Sequence, residues 1–189
     1  MLLQDKKITL SKNGARARSL SFCAMLLGVA LLLSYLEHLL PPFFLPLPGV
    51  RLGWAQGAIT VAYFFLGRRE AALISAVRVV LMGLLFGTAM SFCFSACGAL
   101  LSFLGLLAGE CLLSRRCSYL GLGVLCAVLH NVGQALAAAV FFGVSAAWAY
   151  LPVLVLGGIL TGAIGGVILN GIVPRLVPIF RVSKGGVSI

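Results

Sequence analysis

Long apolar stretches alternate along this chain with short polar breaks. The apolar runs occupy residues 20–40, 52–66, 70–86, 90–113, 119–142 and 148–173. A helix that crosses the hydrocarbon core of a bilayer needs about 20 mainly apolar residues. Most of the runs approach that length. The second and third are short, which fits helices that are broken, re-entrant or screened by neighbours. The helix count therefore lies between five and seven, and six fits best.

The breaks carry the cations, and their placement gives a topology. Lys6, Lys7, Lys12, Arg16 and Arg18 precede the first run, Arg68 and Arg69 follow the second, and Arg115 and Arg116 follow the fourth. Arg175, Arg181 and Lys184 end the chain. With six spans, twelve of the fourteen Lys and Arg fall on one side, and the opposite loops hold only Arg51. Cytoplasmic loops are the ones enriched in Lys and Arg. This predicts both termini in the cytoplasm, with a basic segment at 1–18, one six-helix transmembrane domain at 19–174 and a basic tail at 175–189. A basic start before an apolar run also describes a signal peptide. No small-x-small cleavage pattern follows the run, however, and it is read as a retained first span.

Composition agrees. The chain is 61% hydrophobic and 10% charged, with a mean hydropathy of +1.14, whereas an ordinary soluble domain is about 25% charged. A soluble fold of 189 residues could not hide so much apolar surface. The net charge of +10 comes in short clusters between apolar runs rather than on one folded face. It therefore reads as topology and not as a nucleic-acid surface. The acids are Asp5, Glu37, Glu70 and Glu110, too few for two-carboxylate chemistry. Cys23, Cys93, Cys97, Cys111, Cys117 and Cys126 form no Cys-x-x-Cys pair and read as small apolar fillers. No metal site and no cofactor are expected. The chain holds no phosphate loop, nucleophile elbow or His-Glu-x-x-His, so it is not expected to be an enzyme.

Three features carry candidate chemistry. Arg78 lies midway along the third run, where insertion scales place the cost of an arginine at about 2.5–3.5 kcal/mol. It should point into the bundle, either as a structural arginine held by helix-end carbonyls or Glu37, or as a contact to an anionic or carbonyl group of a ligand. His130, Asn131 and Gln134 lie mid-way along the fifth run, with His130 and Gln134 on one helix face. They either stitch helices together, at about 0.6 kcal/mol per hydrogen bond, or read the polar atoms of a solute. Glu37 and His38 close the first run, and Arg51, Trp54 and Gln56 open the second, which forms an outer polar belt. Between them, residues 41–50 carry Pro41, Pro42, Pro46 and Pro48 and form either a stiff connector or a lid. Small residues recur at four-residue spacing, as Ala24 and Gly28, and as Gly158, Gly162 and Gly166. Such stripes let helices approach closely, within the bundle or against partner helices.

Several stretches, in order, resemble the Gx transporter family, also named heptaprenyl diphosphate synthase component I. They are Glu37-x-x-Leu40-Pro41, then Pro48-Gly49-Val50-Arg51-Leu52-Gly53-Trp54-Ala55-Gln56, then Arg78 with Gly83-Leu84-Leu85-Phe86-Gly87. Ser91-Phe92, Ser95 with Gly98, His130-Asn131-x-Gly133-Gln134 and Tyr150-Leu151-Pro152-x-Leu154 continue the match, which covers about residues 20–173. Gln56 departs from it, since the family pattern leads one to expect asparagine there. That family is similar to the substrate-binding (S) components of energy-coupling factor (ECF) transporters, six-helix bundles that capture a vitamin-like solute from outside.

The resemblance implies a multi-pass protein of the bacterial cell membrane. Its partners would be a transmembrane coupling protein, two ATPase subunits and a small vitamin-, quinone- or isoprenoid-related solute. The site would draw on Arg78, His130, Asn131 and Gln134, with Glu37 and Arg51 near the lid. The synthase name implies an alternative, a non-catalytic membrane accessory subunit in isoprenoid-quinone biosynthesis. Trans-prenyl elongation itself uses two aspartate-rich motifs, and Asp5 is the sole aspartate. A self-sufficient channel or carrier fits less well, because no internal repeat is evident.

Overall fold

The computed structural model describes residues 12–39, 51, 53–112 and 118–181. Among them every regular element is helical: α1 (Lys12–Leu39), α2 (Ala55–Phe65), α3 (Arg68–Phe86), α4 (Ala89–Leu112), α5 (Tyr119–Phe142) and α6 (Val144–Arg181). The expected proline lid at 41–50 and the basic loop at Arg115 and Arg116 lie outside the described residues.

Turn chemistry sets the helix ends. Gly67 precedes α3 at φ 119° and Gly143 follows α5 at φ 88°, conformations in which a side chain would be strained. Thr88 and Ser118 begin α4 and α5 by accepting backbone N–H bonds on their hydroxyls, from Ser91 and Gly121, both at 3.2 Å. Two helices outrun their apolar runs. α1 begins at Lys12, inside the basic segment, and α6 continues to Arg181, because hydropathy marks where apolar residues stop and not where the helix stops.

Among the described residues, four helices are long and apolar enough to cross a membrane, over Ser19–Leu39, Ala89–Glu110, Tyr119–Phe142 and Ala147–Arg175. α2 has 11 residues, about 17 Å at 1.5 Å per residue. α3 carries Arg68, Arg69, Glu70 and Arg78 within 19 residues. The fold is that of an all-α polytopic membrane protein, turned inside out relative to a soluble one. Leu84, Val140, Trp148 and Leu160 are more than 65% exposed, while Ser34, Glu37, Arg78, His130, Asn131 and Gln134 are at most 4% exposed. Apolar groups outside and polar groups inside is the arrangement that lipid selects.

Short α2 sits at the centre and touches all five other helices. α5 packs most extensively, against α4 on one side and α6 on the other. The α6 glycines explain the second contact. A Cβ on Gly162 would lie 2.6 Å from Val124 Cα, and one on Gly166 2.5 Å from Leu120 Cα. On Gly158 it would lie 2.9 Å from Asn131 Nδ2. The same spacing on α1 behaves differently. Ala24 and Gly28 are exposed, and a Cβ on Gly28 would meet nothing within 4 Å. As a packing device within this bundle the α1 pair is therefore corrected, because its face of the helix turns outward. Gly162→Ala should push α5 and α6 apart and cost about 1–3 kcal/mol, the usual range for overpacking. Gly157→Ala, with nothing within 4 Å of the added carbon, should leave the melting temperature in detergent unchanged.

Candidate functional site

Polar side chains from five segments converge inside the bundle. α1 contributes Ser34 and Glu37, three residues apart and so on one face. α3 contributes Arg78, α4 contributes Ser91 and Ser95, and α5 contributes His130, Asn131 and Gln134. Arg51, with Gly53 just before α2, enters from the segment that precedes it. All of these polar side chains are less than 10% exposed.

The geometry sorts the expected site residues into two groups. The first holds backbone. Gln134 accepts the Arg51 N–H on Oε1 at 2.8 Å and donates Nε2 to the Arg51 carbonyl at 2.7 Å, so its amide pairs with the chain as a neighbouring strand would. Asn131 donates Nδ2 to the Leu154 carbonyl at 2.6 Å and ties α5 to α6. The Glu37 carboxylate accepts the Trp54 N–H at the entry to α2. Glu37 lies within electrostatic reach of Arg78 and Arg51. Neither arginine forms a direct ion pair with Glu37, which was one of the alternatives for Arg78; the ion pair among the described residues joins Arg68 and Glu110 at 3.0 Å. Arg51 itself reaches Ser91 Oγ from Nη2 at 3.4 Å. Burial lowers the affinity of its guanidinium for the proton, and Glu37 opposes that shift.

The second group keeps hydrogen-bonding capacity in reserve. Arg78 donates Nη1 to Ser34 Oγ at 3.2 Å, while its Nε and Nη2 have no partner among the described residues. His130 is wedged between two glycines. A Cβ on Gly98 would lie 2.8 Å from its Cε1, and one on Gly53, at φ 82°, 3.0 Å from its Cδ2. The imidazole fits only because both neighbours lack a side chain, and its Nδ1 is unpartnered. Ser95 Oγ and both amide atoms of Gln56 are unpartnered as well. Buried polar atoms without partners are rare in folded proteins and costly. Here they include a guanidinium and a hydroxyl, donors suited to an anionic or carbonyl-bearing solute, and an imidazole nitrogen.

Ser34, Ser75 and Thr60 are polar positions that hydropathy does not single out. Their signal is spacing: Ser34 with Glu37, Ser75 with Arg78, and Gln56 with Thr60 recur three or four residues apart inside apolar runs. On the far side of the bundle a separate cluster forms, in which Glu110 accepts from Tyr63 and from Arg68 Nε at 3.1 Å and Nη2 at 3.0 Å. Among the described residues no group of three or more His, Cys, Asp or Glu could hold a metal ion.

Searches among curated proteins and among solved structures find no match for this chain. A family model does match, that of heptaprenyl diphosphate synthase component I, over residues 26–172. This range takes in α2 to α5 whole and parts of α1 and α6, and with them Glu37, Arg51, Arg78 and the α5 polar cluster. By that match the chain belongs to the heptaprenyl diphosphate synthase component I family.

Proposed function

We propose that this protein is the solute-binding membrane subunit, of the S-component kind, of an ECF-type uptake transporter. Its solute is vitamin-, quinone- or isoprenoid-related, with an anionic or strongly polar group beside an apolar portion. The observation that carries this reading is Arg78, buried at 3% exposure with two nitrogens unpartnered beside His130. A purely structural arginine at that depth would use its donors on carbonyls or a carboxylate. Arg78 and His130 contact the solute, with Ser95 beside them; Gln134, Asn131 and Glu37 hold the surrounding backbone in place.

The chain performs no catalysis in this reading. A transmembrane coupling protein and two ATPase subunits supply the energy, consistent with the lack of a phosphate loop. The protein resides in the bacterial cell membrane with both termini in the cytoplasm, a topology supported by the twelve cations that fall on one side. The test is mass spectrometry of small molecules retained by the protein after purification in mild detergent. A solute with a polar group, retained in stoichiometric amount, is the expected result; an empty protein from solute-replete membranes would count against it. The family's own description favours a second reading, a non-catalytic accessory subunit of a prenyl diphosphate synthase.

A further inference from the structure

α1 and α6 both touch α2 but not each other. Short α2 therefore forms the floor of an open groove between two long helices. The groove encloses about 580 Å³, within the range of about 300–1,000 Å³ for small-molecule sites. Met25, Val61, Ile164 and Ile168 are among its walls, and Met25, Ile164 and Ile168 are more than half exposed towards the lipid. A smaller pit of about 30 Å³ adjoins it, large enough for one water-sized group. Trp54, Gly57, Thr161, Gly165 and Leu169 line both spaces. Gly57 and Gly165 leave the passage open, since a Cβ on either would meet nothing within 4 Å. Gln56 is among the residues around the pit, and its side-chain oxygen and nitrogen are both buried and without a partner among the described residues. Among the described residues, none that lines either space is charged.

We propose that this groove and pit form a lateral site, divided from the Arg78–His130 cluster by Gly53, for a single-chain amphiphile that enters from the membrane with an uncharged hydrogen-bonding head. The head, a hydroxyl or carbonyl, occupies the pit and bonds the Gln56 amide, and the apolar chain lies along the groove between α1 and α6. A diphosphate or phosphate head is excluded, because burying an anion there would leave it without a cation. An ordinary two-chain phospholipid is excluded by the size of the pit.

The test uses the full chain in phosphatidylcholine nanodiscs and farnesol that carries a diazirine in its chain. The expected result is photolabelling on α1, α2 and α6 that unlabelled farnesol suppresses and farnesyl diphosphate does not. Gln56→Leu should lower labelling about tenfold, the measure of two lost hydrogen bonds, without loss of folding, because the replaced amide has no partner. Gly165→Leu, which fills open space, should abolish labelling and keep the native melting temperature. Labelling that is equal in Gln56→Leu, or that a diazirine-bearing phosphatidylcholine reproduces at the same peptides, would overturn the proposal. So would crosslinks between two copies of the chain through this groove.

Discussion

Arg78→Gln should lose solute binding by about 100-fold or more while the protein stays folded. The side chain is nearly inaccessible and spends one nitrogen on Ser34. Nε and Nη2 are held ready without partners. Hydrogen bonds to a charged group contribute about 1.5–3 kcal/mol each, and about 1.4 kcal/mol is a tenfold change. Two such bonds therefore account for the expected loss. Stability should change little, because the guanidinium makes one hydrogen bond and no direct ion pair in the structure. Glu37 keeps the Trp54 N–H in the variant and remains within reach of Arg51. Arg78→Lys should recover only part of the affinity, since an ammonium keeps the charge and lacks the planar fork. The check is thermal unfolding in detergent beside solute retention. If Arg78→Gln melts far below the native protein, the arginine is a structural element and the binding role fails.

Gln134→Leu should have the opposite profile and damage the fold first. Its amide satisfies both the N–H and the carbonyl of Arg51, 83 positions away in sequence. Leucine conserves the volume but leaves two buried backbone groups unpaired, at about 1–3 kcal/mol each. For a chain of this size each kcal/mol shifts the melting temperature by about 2–4 °C, so a fall of roughly 5 °C or more is expected. Hydrogen exchange should quicken at Arg51 and in the first turn of α2, and stay unchanged in the α5–α6 contact around Gly162. Native exchange at Arg51 in the variant would show that other contacts hold this segment.

These two residues also show what the sequence makes legible. The apolar run at 119–142 coincides with α5, and the runs at 70–86 and 90–113 lie within two residues of α3 and α4. Glycine and small polar residues at 67, 87–88 and 143 punctuate those helices, and punctuation is local. The extensions of α1 to Lys12 and α6 to Arg181 were not legible, because a helix that leaves the apolar layer continues through polar residues with no change in its backbone bonds. Arg78 was expected to turn inward from cost alone, and it does. The division of labour within the α5 cluster was not legible. Asn131, Gln134 and His130 look alike as polar groups in an apolar run, and only their surroundings across the fold separate the clamps on Leu154 and Arg51 from a ring held between Gly53 and Gly98 with Nδ1 unpartnered. The two small-residue stripes carried the same ambiguity. Spacing gave Ala24–Gly28 and Gly158–Gly162–Gly166 equal standing, and the fold buries only the second against another helix of the chain.

If, as proposed, this bundle binds a solute for partners that supply the energy, those partners should accompany it out of the membrane. The most direct measurement is isolation of the tagged protein from its native membranes in mild detergent, with mass spectrometry of the proteins that accompany it. The expected result is recovery of a transmembrane coupling protein together with two ATPases. Recovery of a prenyl diphosphate synthase subunit without ATPases would contradict it and establish the accessory role instead.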